Sequence, residues 1–258
     1  IGEHPFGVDN QRGRDMFALT MRGVQSTLVV ILILAVLSTA IGVVIGAVSG
    51  YFGGLLDSVL MRFTDIILVI PLLLLAAVAG YSLGASGLLS VALVLGFFSW
   101  TGLARLVRAE FLALREREFV DAARVAGATS RRIIFKHILP NTVGVIVVSV
   151  TLLMGAGILT EAALGFLGFG IQLPDVSLGS LVNDYQGAFS SRPWLFVWPG
   201  VFIVAIVLCL QFIGDGMRDA FDPRQKRIPK RRDLERAEKV LAREAGTSPA
   251  RTLRETQR

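Results

Sequence analysis

The stretch EFVDAARVAGATSRRIIFKHILPN, Glu118–Asn141, is a polar and basic insert between two long apolar segments. An amphipathic, alanine-rich helix is expected to run to about Ala126 and stop at Gly127, because glycine enters the left-handed region at the least cost. Thr129 or Ser130 can cap a second short helix, its side-chain oxygen accepting an orphan backbone N–H. Pro140 is expected to end that helix and open the next apolar run. Two short helices hung between two membrane spans make a handle that something outside the bilayer can hold.

The rest of the chain fits that reading. It has 258 residues, 53% of them hydrophobic, with a mean hydropathy of +0.64, which is not the balance of an ordinary soluble domain. Charged residues make up 18% and gather at Ile1–Arg22, Arg105–Lys136 and Asp215–Arg258, leaving long apolar blocks between them. A hydrocarbon core of about 30 Å needs roughly 20 apolar residues as helix. Five blocks reach that length, at about Val24–Tyr51, Leu56–Gly80, Gly87–Val107, Thr142–Ala163 and Trp194–Gly214. The expected fold is therefore all-α, a polytopic membrane helix bundle with five transmembrane helices. Gly42, Gly46 and Gly50 form a small-residue ridge on the first span that lets another helix come close. Pro71 interrupts the second, and Trp194 and Trp198 fit an aromatic interface belt at the start of the fifth.

The loops set the orientation. Arg108, Arg115, Arg117, Arg124, Arg131, Arg132 and Lys136 lie between spans three and four, and Arg218, Arg224, Lys226, Arg227, Lys230, Arg231 and Arg232 follow span five. Tyr81–Ser86 carries no charge, and Gly165–Pro193 carries only Asp175, Asp184 and Arg192. Cytoplasmic loops are enriched in Lys and Arg, so the insert and the C-terminus are expected inside and residues 1–23 outside. A sixth span before Ile1 would return the N-terminus to the cytoplasm. The same loops explain the net charge of +6 without nucleic acid. The tail at 215–258 reads as a basic cytoplasmic segment, with a short helix at about Arg231–Glu244 and frayed chain after Gly246.

Several chemistries are absent. Cys209 is the single cysteine, so no internal disulfide forms, and one Cys with two His builds no metal-site spacing. No GxSxG, HExxH or paired aspartates stand within the spans, which argues against an intramembrane enzyme. No G-x-x-x-x-G-K-[ST] phosphate loop is present either.

The insert resembles the loop signature of importer-type ATP-binding-cassette permeases: EAA, a glycine four residues after the last alanine, and an I-x-L-P ending. Asp121, Ala122, Ala123, Gly127, Leu139 and Pro140 fall at the matching positions, with Asp in place of Glu and His137 in place of Ile. The resemblance extends along the chain. HPFGVDNQRGRDMF at His4–Phe17, SGYFGGLLDSVLMRFTDIILVIPLLLL at Ser49–Leu75, ILTEAALGFLGFGIQLPDVSLGSLV at Ile158–Val182 and GDGMRDAFDPR at Gly214–Arg224 are similar to segments of the dipeptide/oligopeptide C-subunit group. Members of that group have six spans. The resemblance implies a permease core at 24–214 with its cytoplasmic loop at 108–141, paired with a homologous membrane subunit in a heterodimer. It also implies two P-loop ATPase subunits, which hold ATP and Mg, and an extracytoplasmic substrate-binding protein. Of cofactors, this chain would hold none. An ATP-independent secondary transporter or channel is the competing class. It is disfavoured because no internal repeat is visible and the handle would have no use.

Within the handle, Ala122, Ala123 and Ala126 offer a small close-packing surface. Arg124, Arg131, Arg132 and Lys136 can pair with acidic groups, and Phe119, Val125, Ile133, Ile134 and Phe135 can anchor in a partner's groove. The apolar residues could equally pack on this chain's own spans. His137 reads as a solvated or helix-end histidine ahead of a pH switch. Charges inside spans are costly. Arg62 and Asp65, three apart on one helix, can pair and read as structural or as part of a translocation path. Glu161 either faces that path or caps a turn in the following GFLGFG.

Overall fold

The computed structural model describes residues 6–9, 13–82 and 87–221. α1, Met16–Phe52, starts eight residues earlier than the apolar run predicts. Asp15 caps it by accepting the Phe17 N–H at 3.2 Å, and Met16 is buried among Val176, Leu181, Tyr185 and Leu195, so the polar first turns are packed against protein rather than lipid. Ahead of it, Phe6 stacks on Trp198 at 4.1 Å and Asp9 pairs with Arg14. α1 ends at Gly53, whose φ of +64° is open to glycine without strain.

α2, Gly54–Val69, and α3, Leu72–Ser82, are two halves of one apolar stretch bent by 82°. Pro71 is the cause. It has no N–H to donate, and its ring pushes the preceding Ile70 into an extended conformation with ψ of 123°. α4, Leu88–Phe98, and α5, Thr101–Arg115, share one candidate span, Leu88–Arg115, with a turn at Ser99–Trp100. α6, Glu118–Val125, is the first arm of the handle.

The second arm differs from expectation. α7, Ser130–Arg132, passes through a π-helical turn at Ile133–Ile138 into α8, Leu139–Phe166, so that Ser130–Phe166 is one continuous helix of 37 residues. Pro140 does not end a helix. The widened turn, in which Leu139 N–H reaches Ile134 O five residues back, sets Pro140 in the first turn of α8, where its missing donor costs little. α9, Leu178–Tyr185, opens with a capping box between Ser177 and Ser180, and α10, Pro193–Phe221, extends seven residues past the predicted Gly214. Among the described residues, four helices are long and apolar enough to cross a bilayer, five with the bent pair counted as one span. The helix proposed at about Arg231–Glu244 lies outside the described residues.

α1 is the axis of the bundle. Its Val30, Ile31 and Leu34 enter one apolar cluster with α3, α4 and α8, and its Ala47 enters a second with α5, α6 and α8. Lipid tails are as apolar as leucine, so helix association in a bilayer depends on close packing rather than on the hydrophobic effect. The glycine ridge supplies it against α5. A Cβ on Gly46 would stand 2.5 Å from Ala104 O and 2.7 Å from Val107 Cβ, and one on Gly50 would stand 2.6 Å from Phe111 Cβ. Gly46→Leu must therefore force α1 and α5 apart. Overpacking of about 1–3 kcal/mol or more is expected, read as a lowered unfolding temperature in detergent. Gly102→Ala, with nothing within 4 Å of the added carbon, is the control and should unfold like the parent.

Candidate functional site

The handle stands on a fixed base. α5 ends at Arg115, whose Nη1 donates to Gly50 O at 3.3 Å and Tyr51 O at 3.5 Å. Those carbonyls belong to the last turn of α1, which carries orphan acceptors and partial negative charge. α6 then starts at Glu118, with Glu118 and Asp121 in its first turn and Arg124 in its last, each at the end that the helix dipole favours. Arg124 also donates to Asp121 at 2.8 Å. The turn closes as predicted: Gly127 has φ of +77°, its N–H reaches Arg124 O at 2.9 Å, and Ala128 N–H reaches Ala123 O at 3.0 Å. Thr129 caps the second arm by accepting the Arg132 N–H at 3.4 Å.

The handle has two faces. Val120, Ala123, Ile133 and Ile138 are buried with Leu103, Val107, Phe111 and Ala47, and Ile134, Ala128 and Leu139 pack against the same cluster. Ala123, Ile133, Ile134 and Leu139 thus hold the handle to its own spans. The outer face exposes Phe119, Asp121, Ala122, Arg124, Val125, Ala126, Gly127, Arg131, Arg132, Phe135, Lys136 and Pro140. Val125 is 91% exposed and Phe135 62%, which is high for apolar side chains on a rigid support. Phe135 lines a shallow depression with Thr129, Arg131 and Arg132. His137 is half-buried at the root of the second arm, where its carbonyl accepts from the Asn141 amide at 2.6 Å.

The charges inside the spans are arranged differently from the expected helix-local pair. Asp65 pairs with Arg105 of α5, not with Arg62, which is exposed. Two turns earlier on α2, Asp57 takes a two-pronged contact from Arg108, Nε to Oδ1 at 2.5 Å and Nη2 to Oδ2 at 2.6 Å, and also accepts from Ser49 of α1. Asp57 did not stand out in the sequence, and Arg108 stood out only as one of the basic residues after span three. Both lie at the edge of a span, and their pairing is between helices, invisible to spacing rules along one helix.

Glu161 is fully buried between α1, α8 and α9. Its Oε2 accepts from Thr27 Oγ at 3.2 Å, and Thr27 Oγ accepts the Leu178 N–H at 3.4 Å. The Ser177 side chain, the cap of α9, also faces this carboxyl, although no contact on Oε1 among the described residues meets hydrogen-bond geometry. The GFLGFG turn is closed by backbone instead, with Phe169 N–H on Leu164 O at 2.9 Å. Near the other end of α9, burial pushes the Tyr185 phenol up to about 12, and the adjacent Asp9 carboxylate adds to the shift.

The sequence pattern of the binding-protein-dependent transport system inner membrane component matches residues 42–227, a stretch that contains the handle and both of its flanking spans. The chain belongs to that family. The oligopeptide transport system permease protein OppC of Mycobacterium tuberculosis H37Rv is 42% identical over 220 residues, which is 85% of this chain and 76% of that protein. OppC of Haemophilus influenzae is 39% identical over 225 residues, 87% of this chain and 72% of that protein. Among solved structures, a chain of the inward-facing MetNI methionine ABC transporter shares the fold, with a TM-score of 0.66 at 24% identity over 80% of this chain and 97% of that one. The chain is thus the permease subunit of a binding-protein-dependent ABC importer. The ATP-independent alternative falls away.

The Thr27–Glu161 contact gives a direct test of how the segment between α8 and α9 is held. Thr27→Val keeps the shape but leaves a buried carboxyl and the Leu178 N–H without their partner, at a cost of about 1–3 kcal/mol. A lowered unfolding temperature and faster hydrogen exchange at Leu178–Tyr185 are expected. Thr27→Ser, which restores the hydroxyl, should return both towards the parent.

Proposed function

We propose that this chain forms half of the translocation path of an ATP-driven importer for peptides (dipeptides or oligopeptides) or a related small solute, and that Glu118–Pro140 is the part its ATPases hold. The observation that carries the reading is the exposed outer face of the handle. Phe119, Ala122, Val125, Ala126 and Phe135 offer apolar contact, Arg124, Arg131, Arg132 and Lys136 offer charge, and the inner face is tied to the bundle. Buried apolar anchors ringed by polar groups carry most interface energy. ATP and Mg are bound and ATP hydrolysed on the two partner P-loop subunits. ATP-driven closure pulls the handle, and the spans exchange outward- and inward-facing packings.

The remaining partners follow from what the spans leave uncovered. A homologous membrane subunit, in a heterodimer, covers the apolar face of the bent pair, where Leu55, Val69 and Tyr81 are more than four-fifths exposed, and lipid covers the rest. The handle and C-terminus face the cytoplasm of a bacterial inner membrane, as their basic residues favour. A substrate-binding protein delivers peptide to the opposite side, where Glu161 belongs to the outer joint or to the path. The peptide class rests on the oligopeptide permeases that this chain resembles across most of its length.

The test is reconstitution of this chain with its sister subunit, ATPases and binding protein in vesicles, followed by uptake of labelled tri- to pentapeptides. ATP-dependent uptake is expected, and flux through the chain alone without ATP would contradict the reading. Gly127→Val probes the handle within the same assay. The left-handed turn resists a β-branched residue by about 1–2 kcal/mol, so the variant should insert and fold yet lose ATPase binding and uptake together. Undiminished ATP-driven uptake by the variant would count against the handle.

A further inference from the structure

α2 is weakly attached by apolar packing. Thr64 is buried, whereas Leu55, Val59, Phe63, Ile66 and Val69 are exposed. In lipid such side chains have no preference for one helix over another or for the acyl chains themselves. The contacts that select a partner for α2 are polar. Asp57 meets Arg108 and Asp65 meets Arg105, two pairs running in opposite chain directions along α2 and α5. Beyond the Asp65–Arg105 pair, at the start of α5, the Phe63 ring lies over Trp100 at 6.2 Å with 22° between planes, and Trp100 is buried. The bidentate Asp57–Arg108 contact fixes orientation as well as distance, and the single Arg105 Nη2 contact on Asp65 adds a second point of attachment. Ser49 donates to Asp57 as well, so the joint includes the last turns of α1. α5 in turn leads directly into the handle through Arg115 and Arg117.

We infer that the Asp57–Arg108 and Asp65–Arg105 pairs are the transmission joint that makes α2 move with α5. Asp57, Asp65, Arg105 and Arg108 are positioning residues in this role. They touch neither nucleotide nor solute and act through the helix that they attach. A pull on the handle moves α5. The two ion pairs carry α2 along with it, and the displacement arrives at the 82° bend at Ile70–Pro71. There the elbow borders an apolar cavity of about 210 Å³ lined by Ile67, Pro71, Leu75, Phe98, Thr101 and Leu153. Backbone at such a bend has already lost its helical ladder, so it can reorient without breaking further hydrogen bonds. The joint thus links the ATPase-facing handle to the point in the bundle where a span can change direction. It rests on the handle being the part that the ATPases hold.

The experiment follows α2 against α5 in the whole complex. In a Cys209→Ala background, Leu56→Cys on α2, away from the face given to the sister subunit, and Ala113→Cys on α5, both exposed positions, take spin labels. The labelled chain is assembled with its sister and ATPase subunits in nanodiscs, and the interspin distance is read nucleotide-free and vanadate-trapped. The parent should give one narrow peak that is the same in both states. Asp57→Asn with Asp65→Asn should keep the ATPase subunits on the gel but lose the single narrow peak on trapping. The charge exchange Asp57→Arg with Arg108→Asp, with Asp65 intact, should regain it. A double-Asn complex whose peak stays narrow and unmoved would overturn the joint and leave the two pairs as fold-stabilising contacts only. Failure of the handle reading is distinguishable, because ATPase subunits would then be missing from the unmutated complex or would stay bound to and drive the Gly127→Val chain, whereas failure of the joint alone shows only in the double-Asn distance.

Discussion

Everything in this bundle that positions the handle depends on the close approach of α1 and α5. Gly42, Gly46 and Gly50 remove the side chains that would hold the two backbones apart, and Leu103, Val107 and Phe111 fill the space. The hydrophobic effect does not choose among helices already in lipid, so this shape fit has to do so. Once α5 lies in the groove, Arg115 reaches the last carbonyls of α1 and Arg108 reaches Asp57. The same apolar cluster then receives Val120 and Ala123 from the first arm and Ile133 and Ile138 from the second. Remove the ridge, and the handle loses its floor.

The two arms are attached in different ways, which matters for how force would enter the bundle. The first arm meets α5 through a break at Glu116–Arg117, guarded by the Arg115 contacts. The second arm has no break, because Ser130–Phe166 is one helix. A load on Arg131, Arg132 or Phe135 therefore runs straight along α8 to Glu161 and the segment leading to α9. The π-helical turn is the compliant element in that path, since its i→i+5 pattern is less regular than the helix on either side. A rigid inner face and an exposed outer face make the handle suited to be gripped rather than to fold around a partner.

Much of this was legible in the sequence. Five apolar runs of sufficient length, the glycine ridge, the break at Pro71 and the left-handed turn at Gly127 each follow from a local rule and are present, although the helices of the first, fourth and fifth runs extend beyond the apolar residues. The elements that were not legible depend on contacts between helices. The start of α1 at Met16 requires Val176, Leu181, Tyr185 and Leu195, which are far away in sequence. Asp65 looked like a partner for Arg62 at i–3 spacing, but Arg105, 40 residues on, competes better because it lies across the helix–helix seam. Pro140 looked like a helix stop because the rule assumes an i→i+4 ladder, and the preceding turn is wider. Within the handle, composition delimits the two short helices, but only packing separates buried Ile133 from exposed Phe135.

The most direct measurement of the grip is cysteine cross-linking across the handle in the assembled transporter, starting from the Cys209→Ala chain. Single cysteines at Ala122, Val125 and Phe135 sample the outer face, and single cysteines at Val120 and Ile133 sample the inner one. Cross-links to an ATPase subunit from the three outer positions, stronger or weaker according to nucleotide, with none from the two inner positions, are the expected result. Equal labelling of both faces, or cross-links from neither while the ATPases remain bound elsewhere, would contradict the handle as the coupling element.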